Sequence, residues 1–177
     1  FSKNTIGRIV VKVKECPGFL VNRLLAPYLN EAAWLLMETK LTPEEIDNEA
    51  RSIWPMGPFA LMDMLGIDVC AEAAKAMHAG YGERMKPAPL TDKLVELKRF
   101  GVKSGAGFYG DPSAVEIVEK HFPFSRQLAL SAEEGFQKMM LAFVNEAFLC
   151  LGDGIASADD IETGCREGLG FSPVLQG

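Results

Sequence analysis

A chain of 177 residues with 48% hydrophobic side chains carries enough apolar material for one large domain or two small ones. Its formal net charge of −6 argues against a nucleic acid or a membrane surface as partner. The four cysteines, Cys16, Cys70, Cys150 and Cys165, show neither C-x-x-C nor Cys/His metal spacing, so no metal site is expected, and they read as buried thiols of a reducing compartment, the cytoplasm. No signal peptide is visible, and a first residue that is Phe1 and not methionine reads as the start of a fragment.

Arg8 to Lys14 alternates, with Ile9, Val11 and Val13 on one face, and predicts a strand. It is the one convincing strand signal in the chain, and one strand makes no sheet. Cys16-Pro17-Gly18 then predicts a turn, since proline disfavours α geometry before it and glycine tolerates left-handed angles. Phe19 to Glu38 predicts a long helix, with apolar rows at Leu20, Leu24, Tyr28, Ala32 and Leu35 and at Leu25, Leu29 and Leu36. Asn22 and Arg23 interrupt that surface one turn in. A buried amide must be hydrogen-bonded, so Asn22 either braces a neighbouring backbone or faces a ligand. With Asn30 and Glu31 they also exclude a membrane span.

Thr42-Pro43-Glu44-Glu45 carries a capping box and opens a second helix running to about Ser52. Pro55-Met56-Gly57-Pro58-Phe59 predicts a sharp turn, followed by a short helix to Leu65 that Gly66 ends. Asp68 is expected to cap a helix to about Met77, and Thr91 another that stops at Gly101. The stretch Gly101 to Gly110 is dense in glycine, yet lacks the G-x-x-x-x-G-K-[ST] order and a preceding strand, so it is no phosphate loop. Ser113 with Glu116 and Ser131 with Glu134 form further capping boxes, the second opening a long helix from Ala132 to about Asp153.

A shift of 115 positions lays Asn30-Glu31-Ala32 on Asn145-Glu146-Ala147, Ile46 on Ile161, Arg51 on Arg166 and Pro58 on Pro173. It also lays Thr42-Pro43-Glu44-Glu45 on Ser157-Ala158-Asp159-Asp160. This predicts an all-α chain of two related helical units, residues 1–112 and 131–177, joined by a linker at 113–130, the second unit stopping short. No residue set is an obvious catalytic machine. His78 reads as a solvated residue near a helix C-terminus. His121, with Glu133 as partner, lies in the expected linker. Met139, Met140, Phe136, Phe143 and Phe148 read as core. Glu31 and Glu146 read as ties between helices, and Lys98, Arg99 and Lys103 as a solvated basic face.

The stretches Val11-Lys12-Val13-Lys14-Glu15-Cys16-Pro17-Gly18-Phe19-Leu20-Val21-Asn22-Arg23 and Pro27-Tyr28-Leu29-Asn30-Glu31-Ala32 resemble the C-terminal domain of the 3-hydroxyacyl-CoA dehydrogenases. The resemblance continues through Glu44-Glu45-Ile46-Asp47, Pro55 to Phe59, Asp63, Gly66-Ile67-Asp68 and Gly101 to Tyr109. The second unit resembles the duplicate C-terminal domain of the longer fatty-acid oxidation members. The resemblance implies a helical fold like the C-terminal domain of 6-phosphogluconate dehydrogenase, and a parent that oxidises (S)-3-hydroxyacyl-CoA to 3-oxoacyl-CoA. It implies an N-terminal Rossmann domain that binds NAD and carries the histidine–glutamate pair, leaving no catalytic or cofactor residue in this stretch. Here it implies an acyl-CoA-facing role for Asn22 and, near the acyl and domain interface, for Pro55, Met56, Pro58 and Phe59. A homodimer or internal pseudo-dimer contact through the helices is implied as well. Gln137 stands where Asn22 maps in the second unit, which implies packing there in place of substrate contact. The alternatives are a non-catalytic helical dimerisation module and a related two-domain dehydrogenase of hydroxy or sugar acids.

Overall fold

An apolar surface that covers most of a helix must be buried on most sides, and the helix Val21–Glu38 (α1) is the axis around which the others pack. In the computed structural model, which describes residues 9–170, seven further α-helices follow it. These are α2 (Pro43–Ala50), α3 (Pro58–Leu65), α4 (Ile67–Tyr81), α5 (Pro89–Glu96), α6 (Ala114–His121), α7 (Ala132–Gly152) and α8 (Ala158–Thr163). Leu24, Tyr28, Ala32, Leu35 and Leu36 of α1 are buried among α3 to α7, in the same rows that the sequence spacing predicts.

The predicted capping boxes form at Thr42/Glu45, Ser113/Glu116 and Ser131/Glu134, and the Ser157 side chain accepts from the Asp160 amide. Gly66, at φ 100°, ends α3 as expected. Other expectations need correction. Residues 9–15 form no strand, and Arg8 lies outside the described residues. Among the described residues no strand lies beside this segment, whose Lys14 amide donates singly to the Ile155 carbonyl at 2.9 Å. Asp68 does not cap α4 but sits in its first turn, paired with Lys103. Thr91 lies inside α5, which starts at Pro89 because proline suits the first helical turn, and its hydroxyl donates to the Ala88 carbonyl. That helix ends at Glu96, where Lys98 turns left-handed.

Two buried carboxylates organise the turns. Asp47 of α2 accepts the Phe59 and Ala60 amides, both at 2.9 Å, so it caps the free N-terminus of α3 from another helix. It also accepts the Tyr109 hydroxyl at 2.7 Å. Asp63 of α3 accepts the Phe108 amide at 2.8 Å and the Tyr109 amide at 3.2 Å, and so holds the glycine-dense loop. Burial raises the pKa of both, and these donors work against that rise. Arg99 is not part of a solvated face: it is buried and donates to the carbonyls of Gly107, Tyr109 and Asp111, pinning the same loop.

The stretch read as a linker carries α6, whose Ile117 and Val118 are buried against the core. Its continuation returns to the C-terminus of α1, where Arg126 donates to the carbonyls of Leu36, Lys40 and Leu41. That end of α1 has no basic residue of its own; the Arg126 guanidinium takes the Leu36 carbonyl, and the amides of Arg126 and Leu128 take those of Met37 and Glu38. On α7, Phe136, Met139 and Phe143 are core as read, whereas Phe148 is 69% exposed. Tyr28, Trp54 and Phe143 stack in a chain with centroid distances of 5.1 and 5.5 Å.

Two glycines are irreplaceable for steric reasons. A Cβ on Gly57 would lie 2.5 Å from the Cα of Asp47, and one on Gly101 (φ 87°) would lie 2.2 Å from the Asp63 carbonyl oxygen. Gly57→Ala and Gly101→Ala should each lower unfolding free energy by about 3 kcal/mol, the upper end for overpacking. Gly152→Ala at the end of α7 meets nothing within 4 Å and should gain roughly 0.5 kcal/mol. Urea denaturation midpoints with unchanged slopes check all three.

Candidate functional site

The turn that feeds α1 is backbone-strained and heavily tied. Gly18 and Phe19 both have positive φ, 78° and 50°, and Phe19 is a bulky residue in a region that glycine favours. The turn closes through Phe19 N–H to the Cys16 carbonyl at 2.9 Å and lies against the end of α4. A Cβ on Gly18 would collide with the Met77 methyl, and one on Gly80 would press on the Pro17 ring. Tyr81, the last residue of α4, donates its hydroxyl to the Pro17 carbonyl at 2.8 Å. Leu20, the N-cap of α1, supplies no side-chain cap.

Beyond this turn, Asn22 stands exposed at the rim of an apolar groove of about 220 Å³ between α1, α3 and α4. Leu25, Leu29, Met62, Val69, Cys70 and Met77 line it. Of the two alternatives for Asn22, it does not brace a neighbouring backbone: it is exposed, and its side chain makes no hydrogen bond among the described residues. Asn30, two turns on along the same groove, is fully engaged. Its Nδ2 donates to the Lys86 carbonyl and its Oδ1 accepts the Ala88 amide, both at 2.8 Å. Of the groove's two asparagines, Asn30 is engaged by backbone and Asn22 is not, among the described residues. Burial pushes the Cys70 thiol up to about 11, assisted by the charges of Asp68 and Asp63, so it lines the groove as a neutral thiol. Such a surface can hold an apolar tail and orient a polar group at its mouth, but its lining holds no general base.

Pro55, Met56, Pro58 and Phe59 do not line this groove. Pro58 and Phe59 are buried, with Phe59 stacked on Phe108 at a centroid distance of 4.7 Å, while Pro55 is exposed and Met56 half-buried. Buried rings at the start of α3 form the framework of the turn and are out of a ligand's reach. His78 stands in the last turn of α4 facing Glu83 at 3.4 Å. Glu133, the proposed partner of His121, instead accepts from Gln137.

The residue that periodicity treats as an interruption is the centre of the largest polar cluster. Arg23, 1% exposed, donates from Nε to Glu146 at 2.6 Å and from Nη2 to Asp153 at 2.8 Å. Arg84 reaches the other oxygen of Glu146. The guanidinium carbons of Arg23 and Arg84 lie 4.5 and 4.6 Å from the centroid of the Tyr81 ring. Burial disfavours the Arg23 charge, yet the carboxylates of Asp153 and Glu146 outweigh it and leave its pKa raised. A second crossing lies between the same helices: Lys138 of α7 meets Glu31 of α1 at 3.1 Å. The signal for both was legible, since a cation precedes a glutamate by eight positions in each helix and each pairs with the other helix's partner.

Known proteins bear on this geometry. The family model for the 3-hydroxyacyl-CoA dehydrogenase C-terminal domain matches residues 18–111. The fatty acid oxidation complex subunit alpha of Acinetobacter baumannii (strain AYE) is 35% identical over 97% of this chain, which spans 26% of that protein. The chain thus spans about a quarter of the curated relatives it matches. Among solved structures, the (S)-3-hydroxybutyryl-CoA dehydrogenase of Ralstonia eutropha is 38% identical with a TM-score of 0.52, over 55% of this chain and 35% of that one. The 3-hydroxybutyryl-CoA dehydrogenase of Escherichia coli K12 shares the fold over 97% of this chain and 54% of its own, with a TM-score of 0.78 at 22% identity.

Arg23→Met should cost about 3 kcal/mol, the low end for breaking a buried pair because Arg84 still neutralises Glu146. Lys138→Met at the exposed crossing should cost less than about 1 kcal/mol. Chemical denaturation of the two variants separates them.

Proposed function

This chain belongs to the 3-hydroxyacyl-CoA dehydrogenase C-terminal domain family, and from that premise we propose that it is the substrate-facing and assembly part of an NAD-dependent (S)-3-hydroxyacyl-CoA dehydrogenase. The parent would oxidise 3-hydroxyacyl-CoA to 3-oxoacyl-CoA in fatty-acid metabolism. The observation that carries the reading is the unengaged Asn22 amide at the mouth of an apolar groove, within the residues that the family matches.

A 3-hydroxyacyl thioester joins an apolar tail to a polar carbon, and groove and amide suit those two parts. The amide donates to the oxygen at carbon 3 as it takes on carbonyl character, and a donor fixed beforehand in a site shielded from water lowers the barrier most. An amide also neither gives up nor takes the proton, so it does not compete with the base. Pro55, Met56, Pro58 and Phe59 we assign to the framework behind the site. The glycine-dense loop does not suit the phosphates of NAD, since the amides of Phe108 and Tyr109 already serve the Asp63 carboxylate. Proton and hydride transfer we assign to an N-terminal Rossmann domain of the parent, and no step to residues of this chain.

We assign the packing of α1 on α7 to a pseudo-dimer of two related helical units, residues 1–112 and 131–177, joined through 113–130. The exchanged pairs Arg23–Glu146 and Lys138–Glu31 support it. The same pairs favour the second reading, a module that only assembles. The parent is placed in the cytoplasm, in keeping with cysteines that are all free thiols here.

In the parent carrying the nucleotide-binding domain, Asn22→Ala should lower kcat for acetoacetyl-CoA reduction by roughly 100- to 1000-fold. An unchanged kcat with altered assembly would select the module instead. The isolated chain should show no turnover of acetoacetyl-CoA with NADH, followed by absorbance of the reduced nicotinamide.

A further inference from the structure

We infer that α7 is a positioning element for the substrate amide, acting through Arg23. The inference rests on the role proposed for Asn22 and adds a residue set, Arg23, Glu146 and Asp153, that would govern its efficiency.

The first turn of α1 is held lightly. Leu20 gives no side-chain cap, and among the initial amides that of Arg23 reaches the Gly18 carbonyl over a long 3.3 Å. Pro27 has no N–H, so the Arg23 carbonyl loses its usual donor four residues on. Phe19 enters the helix in a strained left-handed conformation. The direction in which Asn22 points is thus left to tertiary contacts. Neighbouring positions on a helix are separated by about 100° around its axis, so fixing one side chain fixes the azimuth of the next.

Arg23 supplies that constraint. Its guanidinium is held by Glu146 of α7 and by Asp153, the C-cap of that helix, and lies against Tyr81, whose hydroxyl grips the Pro17 carbonyl in the preceding turn. One cluster therefore clamps the turn before Asn22 and the residue after it. The other crossing is built differently. Lys138 is 44% exposed, its carboxylate partners Glu31 and Glu38 are 25% and 42% exposed, and the residue preceding it, Gln137, is spent on Glu133. Of the two crossings, the buried one is the one that an open amide adjoins.

The test is a double-mutant cycle on kcat in the full parent enzyme with its nucleotide-binding domain, using acetoacetyl-CoA and NADH. Glu146→Gln should lower kcat by roughly 10- to 100-fold, as a misplacement near 1 Å does, with KM within about threefold. In the Asn22→Ala background the same change should cost less than about twofold, because a group that acts through the amide has nothing left to position. Lys138→Met should leave kcat unchanged. Should Glu146→Gln fail to fold, Asp153→Asn, on a side chain 54% exposed, runs the same cycle with a smaller loss. Equal losses in both backgrounds, an unchanged kcat, or an equal loss from Lys138→Met overturn the positioning role while leaving Asn22 in place. An Asn22→Ala enzyme of full kcat removes the substrate reading itself, and the positioning role with it.

Discussion

A guanidinium withdrawn from water must be met by anions, and the meeting at Arg23 is the constraint on which the packing of α1 against α7 depends. Glu146 and Asp153 compensate its desolvation, Arg84 takes up the second oxygen of Glu146, and Tyr81 offers its ring to both cations. An apolar seam between two helices tolerates sliding and rotation. A guanidinium held by two separate carboxylates in the same seam does not, so register between the two helices is set where Arg23 lies.

The same logic recurs on the far side of α1. Asp47 and Asp63 are buried carboxylates whose partners are backbone amides, and each converts a flexible segment into a fixed one. Asp47 closes the start of α3 and Asp63 gathers the glycine-dense loop, whose carbonyls Arg99 then collects. The glycines at 57 and 101 are there so that the backbone can approach these aspartates, which is a packing demand and not a phosphate-binding one. The arrangement frees the groove from structural duty: its polar framework is satisfied elsewhere, and Asn22 alone of its two asparagines is left open.

Binding and reaction are divided in space on this account. The helical part offers shape, an amide and a register lock, which on the proposed reading serve to place a substrate. Proton movement requires a base, and the titratable side chain lining the groove, Cys70, is held there as a neutral thiol. Under the same proposal a lock spanning α1 and α7 would link assembly to chemistry, since the residue it grips is the immediate neighbour of the amide.

Periodicity, capping boxes and the 115-residue echo were enough to read an all-helical chain, the start of α2, α6, α7 and α8, and the core rows of α1, because these are local properties of backbone and side-chain spacing. The Asn22 position was legible as an oddity on an apolar face, and the eight-residue spacing of Arg23 to Glu31 and of Lys138 to Glu146 was present without its meaning. What local spacing could not supply was the environment of each polar group. Arg99 read as part of a solvated basic face, and Arg126 drew no reading at all, until the fold brought carbonyls to both. Asp68 and Thr91 had the chemistry of caps, but glycine and proline geometry placed the helix starts ahead of them. Whether Asn22 was buried, and whether Arg23 faced water or α7, was decided only by tertiary packing, since desolvation is set by atoms far away along the chain.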